Sequence, residues 1–411
     1  MHYTNTHHSP TKKPRPGFGP GACCLRGSRS TELSYRGTTS QIHNLPYLKK
    51  TKHRRNRQAK KTQILHNGKK VTGSKMKTNN RLGEREIIKI IQSHLDVMPR
   101  MPVPFGDDVS AYDLGNGKLA VLKTDMLVGI TDVPPSMSLW QAARKAVVMN
   151  ISDFAAKGVK PLTLLVSLGL PASISREEVK EIGKGLNAGA REYGAYVIGG
   201  DTGESTDLII SISLFGLAKK ANLVLRSGAQ PNDIVAVTGS FGKTAAGLRI
   251  LLKKAKTPEV LRKSLIEQVL MPHARLKEGL ALSLSKAASA SIDSSDGLAW
   301  SLHEIARASK VGFLIDKLPV AEEAIRFASL NRLDATDLAL YGGEEYEIVV
   351  TVKSNLWKKA QKAVEDAGGR LIRIGKATEK SRVLLETKEK TRAIEPRGYE
   401  HFKTTEQRST V

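Results

Sequence analysis

From Leu82 onward the sequence alternates short apolar runs with longer helical patterns, and this alternation confines the chain to mixed α/β architectures. LTLLVSLGL (162 to 170) and LIISISLFGLA (208 to 218) fall well short of the roughly 20 residues that span a bilayer, so they read as strands. GEREIIKIIQSHL places Ile87, Ile88, Ile91 and Leu95 at helical spacing, with Glu84 and Glu86 in the first turn where the helix dipole favours them. Further strands are predicted over 119–122 and 196–199, and helices over 138–158 and 174–194. A second cycle opens with DIVAVTG (233 to 239) after the turn-like GAQPND, which puts a boundary near 220–230. It continues with helices over 243–254, 259–285 and 297–309 and a strand over 289–293. Strand EIVVTV (347 to 352), a helix over 355–367 and strand RLIRIG (370 to 375) close it.

A chain of 411 residues exceeds what one hydrophobic core serves, and we divide it into a tail (1–80) and two α/β domains (81–222 and 223–411). With only 5% aromatic residues, the cores must rest on Ala, Val, Leu and Ile. The formal charge of +25 suggests nucleic acid until it is located: residues 1–80 carry 18 lysines and arginines against Glu32 alone, a net +17, leaving +8 for the rest. The run KKTKHRRNRQAKK (49 to 61) has the composition of a disordered segment. It reads as an anion-binding arm, a targeting segment, a solvated tail, or sequence upstream of a true start at Met76. The two cysteines, Cys23 and Cys24, are adjacent and provide no disulfide framework, so a cytoplasmic setting is the default.

VTGSFGKT (237 to 244) tempts a P-loop reading, but the glycine that motif needs five residues before Gly242 is Val237. The stronger signal is a set of seven aspartates at predicted strand ends or helix starts: Asp107 and Asp108 in GDDVS, Asp125 in KTDML, Asp153 in NISDFAAKG, Asp201 in GGDTGE, and Asp293 and Asp296 in DSSDGL. Any one of them is an ordinary cap or turn residue. Gathered at strand ends they would repel one another unless cations sat between them. Oxygen ligands point to a hard ion such as magnesium, because the body has no cysteine and its histidines, His94, His273, His303 and His401, are scattered. Gly199-Gly200 and Gly342-Gly343 would let backbone N–H groups approach phosphate. Carboxylates, glycines and no nucleophile suggest phosphoryl transfer.

In their order GDDVS, TDML, NISDFAAKG, GGDTG, RSGAQPND with VAVTGSFG, DSSDGL and YGGEEYE resemble the thiamine-monophosphate kinases, a branch of the group similar to aminoimidazole-ribonucleotide synthase. The likeness covers roughly 82–402. It implies a two-domain PurM-like fold of the α/β (α+β) class, whose N-terminal mixed sheet pairs in a homodimer. It further implies magnesium ions held by Asp108, Asp125, Asp153, Asp201, Asp293, Asp296 and Thr124, and ATP contacted by Lys123, Gly200, Arg226 and Ser295. Asp132, Glu344 and Tyr399 would lie on the thiamine monophosphate side, with no residue acting as general base. Two departures stand out: VGITDVPP replaces a Glu-Gly-x-His-Phe stretch, leaving Asp132 near the usual histidine, and Glu345 stands where Asp is usual.

The expected reaction is ATP- and magnesium-dependent phosphorylation of thiamine monophosphate. The alternatives are another ATP-using synthase of the same superfamily, or a nucleic-acid-binding protein acting through its tail. No membrane partner is expected.

Overall fold

The computed structural model describes residues 82–402; the basic tail, its cysteine pair and Met76 lie outside the described residues. Helix α1 (Glu84–Gln92) precedes a five-stranded sheet of β1 (Ser110–Gly115), β2 (Lys118–Val128), β3 (Lys160–Leu170), β4 (Tyr196–Glu204) and β5 (Ile209–Lys219), ordered β1-β2-β5-β3-β4. Only β3 and β4 run parallel, and the helix α4 (Arg176–Glu192) makes the crossover that such a pair requires. A one-turn helix α2 (Gly129–Asp132) follows β2.

Helix α3 (Leu139–Lys157) is the centre of the molecule. Ser138 starts it with a capping box, its hydroxyl accepting from the Gln141 N–H while the Gln141 side chain accepts from the Ser138 N–H. Gly158, at φ 67°, ends it in the left-handed conformation that glycine adopts without strain. Fifteen of its nineteen residues are buried, so it is covered on every side rather than amphipathic. It packs on β2, β3 and β5 and also on two strands of the second sheet.

That second sheet has seven strands in the order β12-β11-β8-β10-β6-β9-β7. They are β6 (Ile234–Val237), β7 (Ala288–Asp293), β8 (Gly312–Ile315), β9 (Ile348–Val352), β10 (Ile372–Thr378), β11 (Val383–Glu386) and β12 (Thr391–Ala393). Its helices are α5 (Lys243–Lys253), α6 (Glu259–Leu270), α7 (Leu276–Ser285), α8 (Leu298–Ser309), α9 (Glu322–Asn331), α10 (Ala335–Tyr341) and α11 (Trp357–Asp366). The single helix expected over 259–285 is two. Pro272 sits in the break, where it has no N–H to continue a helical ladder. One apolar core joins the sheets through α3, with Val121, Val147, Ile151, Phe154 and Ile212 packed in one cluster with Ala236, Ile348 and Val350. Helix α7 approaches α3 so closely that a Cβ on Gly279 would lie 1.9 Å from the Ala155 carbonyl oxygen.

Candidate active site

Alternation along β2 decides which residues enter the space between sheet and helix. Val121 and Leu127 are buried, and Lys123 and Asp125 share their face, opposite Leu214 and Ile212 of β5. Lys123 Nζ lies 2.8 Å from Asp153 Oδ2, which α3 presents from the other side. Asp108 comes from the loop before β1, and Asp293 ends β7. One oxygen from each of Asp108, Asp153 and Asp293 lies within 4.8 Å of the others, and all three residues are buried. Strand ends of both sheets and the central helix therefore meet at three carboxylates.

Their electrostatics are uneven. Burial works to raise Asp108, but Lys157 and Arg226 overcome it and hold its carboxyl below the usual range. Lys157 Nζ is 2.9 Å from Asp108 Oδ2 and 2.8 Å from Asp107 Oδ1, and Arg226 Nε donates to Asp108 Oδ1 at 2.7 Å. Burial pushes Asp153 well above the carboxylate range despite Lys123, with Asp293, Asp108 and Asp125 adding repulsion. Burial, then the charge on Asp108, pushes Asp293 up to about 7, although the Ser152 hydroxyl donates to its Oδ2 at 2.8 Å. Asp296 is pushed up to about 6 by burial and by Glu84. The neighbouring Ser294 Oγ is buried with no hydrogen-bond partner among the described residues. Buried carboxylates that resist ionisation, beside an unpartnered hydroxyl, are the donor set a hard divalent cation would satisfy.

The remaining expected residues fall into two groups. Asp125 lies close enough to add its charge to Lys123 and Asp153. Ser295, Glu344 and Tyr399 are neighbours: the Glu344 N–H donates to the Ser295 carbonyl at 2.6 Å, and a Cβ on Gly343 would lie 3.5 Å from Tyr399 Cβ. Asp132 is tied to them through Lys145, whose Nζ donates to the Asp132 carbonyl at 2.9 Å and pairs with Glu344 Oε1. The Asp132 carboxylate is turned back onto its own chain, accepting from the Val128 N–H at 2.7 Å. Thr124, Gly200 and Asp201 are exposed. Asp201 pairs across the sheet with Ser167, which pairs with Ser211, and this row lies on the face away from α3. Thr124 shares that outer face.

Sequence reading missed Lys145 and Lys157, both fully buried. The signal was present: lysines inside an otherwise apolar helix must find partners, and Lys157 reaches Asp107, Asp108 and the Ser291 carbonyl. Its place in the last turn also suits an ordinary solvated cation. The VTGSFGKT loop holds an anion of the protein's own, since the Gly242 and Thr244 N–H groups donate to Glu345 Oε1 at 2.7 and 3.1 Å. The terminus that a P-loop would offer to phosphate is thus filled by a buried carboxylate.

Two sheets flanking one buried helix, with carboxylates at the junction, define a protein of the AIR synthase-related class. Residues 106–218 match the family model described as AIR synthase related protein, N-terminal domain, and residues 230–388 match its C-terminal domain. The chain is 37% identical over 324 residues to a thiamine-monophosphate kinase of Nitrosopumilus maritimus, covering 79% of this chain and all of the relative. It is 36% identical to a thiamine-monophosphate kinase of Pyrococcus horikoshii, covering 79% of this chain and 97% of the relative. Among solved structures, AaThiL complexed with AMPPCP and TMP superposes with a TM-score of 0.69 at 29% identity, covering 80% of this chain and 100% of that one. The chain belongs to the thiamine-monophosphate kinase family.

Proposed function

We propose that this protein transfers the γ-phosphoryl group of ATP to thiamine monophosphate, forming thiamine diphosphate and ADP by direct in-line displacement. The carrying observation is the convergence of Asp108, Asp153 and Asp293 within 4.8 Å in a member of this kinase family. The relative solved with AMPPCP and TMP supports the same pair of substrates. An oxygen of the thiamine monophosphate phosphate attacks the γ-phosphorus, and the bond to the β-phosphate oxygen breaks. A phosphate monoester has a second pKa of about 6, so the nucleophile is ionised at neutral pH and the site needs no general base.

Asp108, Asp125, Asp153, Asp293 and Asp296 would hold magnesium on the inner face, whereas Thr124 and Asp201, on the outer face, would reach magnesium only at the site of a second copy. Bound magnesium would neutralise charge on the two polyanions and on the transferring group. Lys123, Gly200, Arg226 and Ser295 serve ATP; Glu344 and Tyr399 serve the acceptor. Asp132 supports that side through its backbone.

Two copies of the chain would pair through the outer face of the five-stranded sheet. Leu122, Met126, Leu165 and Leu217 share that face and are each about half exposed, at 46%, 50%, 49% and 49%. Half-exposed apolar side chains collected on one sheet face mark an interface. No helix among the described residues is long and apolar enough to cross a membrane, and we place the reaction in the cytoplasm.

Incubation with ATP, magnesium and thiamine monophosphate should yield thiamine diphosphate in amounts matching ADP. ADP formation without thiamine diphosphate, or no turnover, would overturn the proposal.

A further inference from the structure

Lys145 is a buried cation whose job the metal cluster does not explain. It sits in α3, fully buried, and reaches the YGGEEYE loop through Glu344. Its Nζ meets two groups from different domains: the Asp132 carbonyl at the end of α2, and the carboxylate of Glu344. Being enclosed, the ammonium cannot itself touch a substrate.

Glu344 is held at every other point as well. Its backbone has a φ of 62°, the left-handed region that a residue with a side chain occupies only when its surroundings compel it. Its N–H donates to the Ser295 carbonyl at 2.6 Å and its carbonyl accepts from Thr244 Oγ1 at 3.4 Å. Lys145 takes one carboxylate oxygen, while the Glu344 side chain stays 25% exposed. A carboxylate pinned through one oxygen on a side chain that remains a quarter exposed is oriented for a ligand. Fixing a long side chain before binding removes its ordering cost from the binding step.

We propose that Lys145 is a positioning residue for the acceptor substrate: it locks the Glu344 carboxylate and the end of α2 into one arrangement, and thereby sets affinity for thiamine monophosphate without contributing to ATP binding. This rests on the kinase reading above. The segment after β2 departs from the family pattern at Asp132, and the backbone of that same residue is what Lys145 grips. The lysine therefore links the altered segment to the glutamate.

The experiment compares wild type, Lys145→Met, Glu344→Gln and the double variant, measuring kcat and the KM for each substrate. Wild-type turnover of thiamine monophosphate tests the kinase reading separately; without it that reading fails, whatever the variants do. Given turnover, Lys145→Met and Glu344→Gln should each raise the KM for thiamine monophosphate about tenfold, leaving the KM for ATP within about twofold. The double variant should be only slightly worse than Glu344→Gln, losing in addition only the grip on the Asp132 carbonyl, because the lysine acts mainly through the glutamate. If Lys145→Met does not fold, the charge-neutral double variant still decides against Glu344→Gln. A KM that multiplies in the double variant, or ATP and acceptor KM values rising together, would overturn the assignment.

Discussion

Asp201 and Lys123 lie on opposite faces of the same five-stranded sheet. Lys123 pairs with Leu214 on the face packed by α3, whereas Asp201 lies in the outer row with Ser167 and Ser211. Strands β2 and β4 are also separated by β5 and β3. At about 4.8 Å per strand the gap is roughly 14 Å, too far for one ion to join Asp201 to the inner cluster within one chain. If Asp201 serves catalysis, it would serve the site of a second copy seated on the outer face.

Asp153→Asn and Asp201→Asn homodimers should each lose activity by on the order of 100-fold. Co-expressed at equal levels, they should recover roughly a quarter of wild-type activity, because half the dimers are mixed and each holds one intact site. A co-expressed mixture as inactive as the separate variants would exclude a site shared between copies.

Strand β5 was legible from the sequence because its apolar run announces a strand, whereas β2 (Lys118–Val128) was read only over 119–122, because KTDML breaks the apolar run that follows. The row containing Asp201 was not legible, since strand order is a long-range property and GGDTGE carries no apolar partner to orient it. Likewise the three carboxylates announced themselves as a set, but Lys157 did not, because a lysine before a C-capping glycine is equally at home in water. Strand β8 and helices α9 and α10 were missed where burial in the second domain outweighed weak periodicity. Pro272 alone could have split the predicted long helix.

Lys243→Ala should leave turnover and the KM for ATP within about twofold. The VTGSFGKT loop resembles a phosphate cradle only in sequence, and Lys243 pairs with Glu323 at 3.3 Å. Steady-state kinetics across an ATP titration check this. A tenfold rise in the KM for ATP would restore the loop as a nucleotide site.

Glu345→Ala should destabilise the fold by about 2–4 kcal/mol, because the buried Gly242 and Thr244 N–H groups lose their acceptor. Glu345→Gln keeps an acceptor oxygen and should cost much less. It also removes a carboxyl that burial pushes up to about 7. Denaturant midpoints at pH 7.5 measure both, and equal losses would mean the hydrogen bonds to Glu345 contribute nothing particular.

Asp293→Asn should stabilise the metal-free protein, by an amount that grows with pH. Asp293 ordinarily ionises near 3.8, but burial and the charge on Asp108 push it up to about 7 in the fold. The folded state therefore keeps a proton that the unfolded state has released, and stability falls as pH rises from about 4 to about 7. Above that window both states are ionised, and the full cost of a buried repelling charge is present. Asparagine never carries that charge, and its side-chain oxygen can still accept from Ser152. Near pH 5 only part of the cost has developed, so the variant gains less there. At pH 8 it should be more stable by on the order of 2 kcal/mol. Magnesium should reverse the order, raising the melting temperature of wild type and moving the variant much less, because binding to the folded state alone adds stability. Thermal melts at pH 5 and pH 8, each with chelator and with magnesium, separate the two effects. A difference between wild type and variant that is flat in pH and unmoved by magnesium would make Asp293 an ordinary strand-end aspartate.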